Sequence, residues 1–290
     1  MGKYSIKELE QLSGIKAHTI RIWEKRHGII APARTATNIR FYSDDDLKKI
    51  INVSLLNSNG VKISRIADMT TEQLNQKVLE LSETRNDAAI HIDQLVVAMI
   101  DMEEEAFEKI LNTLILRHGF EKALTTVVYP FLEKIGILWQ TQNISPAHEH
   151  FISNLIRQKL IVAIDSLPIP PKDSKKAVLF LPEGEMHEIG LLFFHYLARK
   201  SSLRTYYLGQ NVPHGDLVSV VNVHNPDFLI SSITTSTAIP VEDYFELLSR
   251  DFSAPLILIS GQQVQKFNGS KLRNIQTFCH AGEILQFFEK

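Results

Sequence analysis

Glu185, His187 and Gly190 stand in a Glu-x-His-x-x-Gly spacing within Leu181-Pro182-Glu183-Gly184-Glu185-Met186-His187-Glu188-Ile189-Gly190. A neutral imidazole can give one ring nitrogen to a metal ion. A carboxylate two residues away can take the other N–H and fix the tautomer. Gly190 leaves room for a bulky ligand to approach the backbone. A second set of residues is Trp139 followed, after nine residues, by Glu149 and His150. A core tryptophan with a surface Glu-His pair would show the same spacing, so this set gains meaning only beside the first. A third set is basic. Residues 1–42 hold eight Lys and Arg against three acidic side chains, whereas the whole chain has a formal net charge of -2. A basic head on an acidic body suits contact with phosphate.

These residues need elements to position them. The apolar run 177–181 precedes His187 and a long apolar helical pattern, 189–198, follows it. His187 is therefore expected on a strand-to-helix loop at the carboxyl edge of a parallel sheet, where open α/β folds bind ligands. From residue 176 onward strand and helix patterns alternate. Strands are predicted at 177–181, 204–208, 228–232, 256–259 and 276–279, with helices at 189–200, 214–223, 241–250 and 282–289. This is a doubly wound, Rossmann-like α/β domain over 174–290. No Gly-x-Gly-x-x-Gly follows the first strand, so a dinucleotide is a poor ligand for it.

Residues 71–167 read as all helix, with patterns at 71–82, 87–102, 103–118, 120–139 and 146–167, and 76–168 looks like a four-helix bundle. Pro130 is expected to kink or break the fourth of these. Pro146 takes a permitted first-turn place in the last. Pro168-Ile169-Pro170-Pro171 then makes a stiff linker. In the head, 1–75, Ser5 caps a helix over 6–12, Gly14 turns the chain, and a second helix over 17–26 carries Arg21, Lys25 and Arg26 outward. A two-stranded wing over 30–42 and a helix from 44, capped by Ser43, complete a winged helix-turn-helix pattern.

The chain has 290 residues, 44% apolar and 22% charged, so it can bury substantial cores. Its one cysteine, Cys279, leaves no intramolecular disulfide and fits a reducing, cytoplasmic setting. No apolar run reaches the roughly 20 residues needed to span a bilayer, so no membrane association is expected.

The head resembles the DNA-binding domain of MerR-type transcription regulators. The matching residues are Tyr4-Ser5-Ile6-Lys7-Glu8-Leu9, Thr19-Ile20-Arg21-Ile22-Trp23-Glu24, Arg34-Thr35 and Asn38-Ile39-Arg40-Phe41-Tyr42-Ser43. The resemblance implies that Thr19, Arg21 and Arg26 enter the major groove of double-stranded operator DNA. Arg34, Arg40 and Tyr42 would lie in the wing, and a homo-oligomer, dimer or tetramer, would read an inverted repeat. Joined to Trp-x9-Glu-His and Glu-x-His-x-x-Gly, the whole chain resembles the light-responsive cobalamin-binding repressors of carotenoid genes. That resemblance implies a regulator and not an enzyme, with adenosylcobalamin as cofactor, held between the bundle and the Rossmann-like domain. His187 would be the lower axial cobalt ligand, with Glu185 behind it. Gly190, Ser232 and Gly261 would accommodate the nucleotide tail, and Trp139, Glu149 and His150 would cover the adenosyl side. The chain departs from the family pattern in three places. Thr234 stands where Ser-x-Leu has its leucine, one glycine stands where two are usual, and Gln140 replaces the histidine that follows the tryptophan. Three other readings remain: a cobalamin or redox sensor without a light response, a regulator that has lost the cofactor, and a corrinoid methyl-transfer module.

Overall fold

The computed structural model describes residues 3–289 apart from 36, 85–86, 141–144, 236–238, 265–271 and 273, and only the backbone of 82–84 and 137–140. By contacts the chain divides into two units, Met1–Ile152 and Ser153–Lys290. The boundary falls inside the helix Pro146–Asp165. None of the described helices is long and apolar enough to cross a membrane.

The first unit opens with the helix Ile6–Ser13. Ser5 accepts from the Glu8 N–H while the Glu8 carboxylate takes the Ser5 N–H, a reciprocal cap that satisfies two orphan donors. Gly14, at φ +71°, ends this helix in the left-handed conformation. The next helix, Ala17–His27, has no cap from its own N-cap residue, Lys16. Glu10 of the first helix fills that role, accepting from the Ala17 N–H at 2.9 Å and from Lys16 Nζ at 3.0 Å. Ile20 and Trp23 of the second helix are buried. Strands β1 (Ala33–Arg34) and β2 (Arg40–Phe41) pair antiparallel as a short wing. Tyr4 and Tyr42 exchange two backbone hydrogen bonds of 2.9 Å, which tie the N-terminal segment to the base of the wing. The helix Asp44–Ser58, capped by Ser43 with Asp46, buries Leu47, Ile50, Ile51 and Leu56 and supports the head from below.

The helix Thr71–Thr84 packs on Asp44–Ser58, and the helices Ala88–Ile100 and Glu104–His118 form a hairpin. After Gly119 the chain is helical to Gln140 without a break at Pro130. Instead Leu124–Val128 forms a π turn immediately ahead of the proline. A proline lacks an N–H and its ring crowds the carbonyl four residues earlier, so a widened turn lets the helix continue where an α turn would break.

The second unit holds a five-stranded, all-parallel sheet: β3 (Lys176–Pro182), β4 (Arg204–Val212), β5 (Phe228–Ser232), β6 (Leu256–Ser260) and β7 (Ile275–Thr277), in the order β4-β3-β5-β6-β7. The near-continuous apolar strands reflect burial on both faces. One face packs Val178, Phe180, Leu229 and Ile257 against Leu217, Phe245 and Leu248 of the helices His214–His224 and Val241–Asp251. The helix Ile189–Lys200 covers the other face with the C-terminal segment, where Phe194 meets Phe278 edge-on at 5.0 Å. Strand order reverses between β3 and β5, so the crevice at their carboxyl ends is the topological switch point of the sheet.

Strand β4 runs four residues beyond the predicted 204–208. Register shifts along β3, with Gly209 at φ +77°, carry it on to Val212. At the end of β6, Gly261 sits at φ +115°, and a Cβ there would lie 2.2 Å from the Ile233 carbonyl oxygen. The Gly261→Ala variant is accordingly expected to lose about 2–4 kcal/mol, combining left-handed strain with a backbone collision. Chemical denaturation followed by far-ultraviolet circular dichroism checks this, and an unchanged midpoint would contradict the close approach.

Candidate functional site

His187 lies on the loop that leaves β3, and the chain after β5 provides the opposite wall. Between them is the Glu185 carboxylate, whose side chain is only 2% exposed while that of His187 is 57% exposed. Glu185 Oε1 accepts from His187 Nδ1 at 2.7 Å, from the His187 N–H at 3.0 Å and from the Met186 N–H at 2.9 Å. Oε2 accepts from the N–H groups of Thr234 and Thr235, at 2.7 and 2.8 Å, and from the Thr235 hydroxyl at 3.1 Å. The carboxylate thus bridges the loops after β3 and β5 across the switch point. Burial alone would raise its pKa. The hydrogen bonds from His187, Thr235 and Thr234 outweigh burial and hold it down to about 2.

The extra length of β4 serves the same loop. Gln210 Nε2 donates to the Met186 carbonyl, and Asn211 accepts the Gly184 N–H at 2.8 Å through its side chain. The Asn211 N–H donates to the Glu185 carbonyl at 3.2 Å. Gly184, at φ +86°, makes the turn that leads into the loop. The loop is therefore held at three backbone positions before the helix Ile189–Lys200 begins.

Gly190 is in the first turn of that helix. A Cβ there would meet only the Ser232 Oγ, at 3.7 Å, so the protein's own packing does not require a glycine. Ser232 faces this helix, whereas Ser231, its fully buried neighbour, has an Oγ with no hydrogen-bond partner among the described residues. Gly261 has the steric task given above. Met186, 55% exposed, offers an apolar side chain beside His187. The structure therefore brings Glu185, His187, Gly190, Ser232 and Gly261 to the carboxyl edge of one sheet. Sequence reading missed Thr235, whose contact with Glu185 spans 50 residues. It took Thr234 as a departure in side chain, but the contribution of this residue is its backbone N–H.

These features fit a cobalamin at this edge. The imidazole is oriented through Nδ1 by a buried carboxylate, and beside the loop the small residues Gly190 and Ser232 face each other.

In the first unit, Glu149 and His150 lie in the opening turns of Pro146–Asp165, with His150 Nδ1 2.9 Å from Glu149 Oε2. Trp139 belongs to the helix Tyr129–Gln140, but the side chains of Trp139 and Gln140 lie outside the described residues.

The head keeps Arg21, Lys25, Arg26 and Arg34 exposed, and Thr19 is partly exposed on the helix Ala17–His27. Arg34 Nη1 donates to Asn38 Oδ1 at 2.6 Å across the wing. Arg40 is 3.4 Å from Glu24, and the Tyr42 hydroxyl donates to the same carboxylate at 3.5 Å. Tyr42 is fully buried, and burial together with Glu24 pushes its pKa up to about 12. It braces the wing against the second helix, while Arg34 stays exposed and Arg40 partly so.

Residues 4–73 match the family model "MerR HTH family regulatory protein", and residues 91–163 match "B12 binding domain". Over 254 residues the chain is 27% identical to the HTH-type transcriptional repressor CarH of Myxococcus xanthus, covering 85% of this chain and 83% of that protein. It is 26% identical over 236 residues to the HTH-type transcriptional repressor CarA of the same organism, covering 80% and 77%. Among solved structures, the Methanosarcina barkeri monomethylamine corrinoid protein is similar, with a TM-score of 0.57, 16% identity and coverage of 68% of this chain and 96% of that one. At that identity the likeness is one of fold.

Because folding lowers the pKa of Glu185 from 4.5 to about 2, its stabilisation is fully present above about pH 4.5. It is lost as pH falls through the window down to about 2, with a total on the order of 3 kcal/mol. Denaturation midpoints measured across that window should fall less steeply for Glu185→Gln than for the parent chain. Equal slopes would mean that this carboxylate is not the titrating group.

Proposed function

We propose that this MerR-type regulatory protein with a B12 binding domain is a transcriptional repressor whose hold on operator DNA is set by adenosylcobalamin, with light as the discharging signal. The observation that carries this reading is the Glu185–His187 pair at the switch point, in a chain that also carries a DNA-reading head. The repressors CarH and CarA, to which the chain is similar over most of its length, support the regulatory reading. The same head argues against a methyl-transfer enzyme.

When bound, a cobalamin supplies a cobalt centre that accepts an axial nitrogen and, in its adenosyl form, a cobalt–carbon bond that light cleaves. His187 would hold the cobalt through Nε2. Glu185 keeps the proton on Nδ1, holds the ring in one orientation and makes it a better donor. Gly190 and Ser232 leave space for the nucleotide tail. Trp139, Glu149 and His150 are proposed to face the adenosyl group, the indole by apolar contact and the carboxylate by hydrogen bonds to ribose hydroxyls.

The head acts as part of a homo-oligomer, since one helix-turn-helix reads only half of a two-fold operator. Thr19, Arg21 and Arg26 face the major groove, and Arg34 and Arg40 the backbone beside the wing. Operator binding supports a cytoplasmic setting. Coupling of cofactor to DNA requires a differential affinity of about 1–3 kcal/mol per site. Gln140 favours a second reading, a cobalamin sensor without a light response, because an amide is a poor cobalt ligand.

The deciding experiment mixes the full chain with adenosylcobalamin in the dark and follows absorbance, sizing and DNA band shifts before and after illumination. The expected result is a histidine-ligated spectrum, an oligomer with cofactor, and release of DNA in light. His187→Ala should lose the spectrum, and undiminished binding by that variant would remove the ligand assignment. Band shifts equal in dark and light would favour the second reading. In a salt titration Arg21→Ala should weaken DNA binding and reduce the salt slope by about 1 if the lost contact is to phosphate. Unchanged affinity and slope would place the groove contact elsewhere.

A further inference from the structure

The helix Pro146–Asp165 belongs to both units, since the contact boundary lies between Ile152 and Ser153. Two arginines hold its second half and the following linker to the Rossmann-like domain. Arg199 Nη2 donates to the carbonyls of Leu167 and Pro168, both at 3.1 Å, and so anchors the linker far along the chain from the ligand loop. The other arginine points at that loop. Arg157 Nε is 2.7 Å from Glu188 Oε1, an ion pair by distance whose N–H is not aligned for a hydrogen bond, with side-chain exposures of 35% and 15%. The partly buried setting separates this pair from an ordinary solvated surface ion pair.

Glu188 directly follows His187 and is the N-cap residue of Ile189–Lys200. Its N–H donates to the Met186 carbonyl, and its own carbonyl accepts from the Leu192 N–H at 2.8 Å. Its second carboxylate oxygen accepts from the Tyr207 hydroxyl at 3.1 Å. Tyr207 is kept protonated by burial and by Glu188, so it stays a donor. Its ring stacks on His195 at 5.0 Å, and His195 in turn is 2.9 Å from the Thr205 hydroxyl. Glu188 is therefore clamped between β4 on one side and the shared helix on the other. Arg157 lies eight residues, about two turns, from Glu149 on a single helix.

We propose that Arg157 is a positioning residue that transmits the state of His187 to the shared helix through Glu188. This rests on the cobalamin reading of the site and names the means of its regulation. Displacement of the His187 loop moves Glu188, and the ion pair passes that movement to a helix whose other end lies in the unit that carries the DNA-reading head. Without the pair, cofactor is still held but its effect on DNA binding is lost.

The test uses full-length parent, Arg157→Met, Arg157→Lys and Glu188→Gln proteins. Three quantities are measured: adenosylcobalamin affinity and spectrum, operator affinity with and without cofactor, and hydrogen exchange of the 186–192 amides without cofactor. Arg157→Met is expected to bind cofactor within threefold of the parent with the same spectrum. Its ratio of operator affinities with and without cofactor should fall at least tenfold, and the Leu192 amide should exchange faster. Arg157→Lys should restore part of the ratio, because it keeps a charge of the same sign. A parent-like ratio in Arg157→Met, or loss of cofactor binding altogether, overturns the proposal. If Arg157→Met does not fold, Glu188→Gln decides by the same ratio. A parent protein that shows no cofactor-dependent DNA binding sinks the cobalamin reading and this proposal together. A responsive parent beside an equally responsive variant sinks the proposal alone.

Discussion

A single buried carboxylate organises the carboxyl edge of the sheet. Glu185 is almost inaccessible to water, yet it is held ionised by six donors from two segments: the loop after β3, including the His187 ring, and the chain after β5. An unpaired buried charge would be costly, and a half-satisfied one nearly as costly. The two loops therefore cannot separate without stranding it. The consequence for His187 is that a largely exposed ring has Nδ1 fixed on a short loop.

The same economy appears in the head, where Glu24 is the shared acceptor. It receives Tyr42 and faces Arg40, so the wing and the second helix move as one body. The cations at positions 21, 25, 26 and 34 are exposed around this frame. Glu10 does comparable work one helix earlier by capping a neighbour that has no cap of its own.

Much of this was legible in the sequence because it is local. Caps at Ser5 and Ser43, the glycine turn at Gly14, and the apolar runs of β3, β5 and β6 follow from periodicity and turn chemistry. The Glu185–His187 pairing was legible too, since they lie two positions apart. Contacts across long separations were not. Nothing in Thr234 or Thr235 shows that their N–H groups end on Glu185, because backbone donors leave no mark on residue type. Nor does Gly261 announce its neighbour, a carbonyl from a different strand end. The extension of β4 depends on register shifts, which an alternating pattern cannot show. The resemblance puts Tyr42 among the DNA-contact residues of the wing, but its place opposite Tyr4 buries it in the core.

The π turn at Leu124–Val128 has a consequence for the far end of its helix. Such a turn holds one more residue than an α turn, so everything after it is rotated by about 100° around the axis relative to an uninterrupted helix. The azimuth of position 139 is thus set fifteen residues upstream, by a widened turn that exists because of a proline. Removing one residue from that turn would rotate the backbone at position 139 by the same angle and leave the sequence around it unchanged.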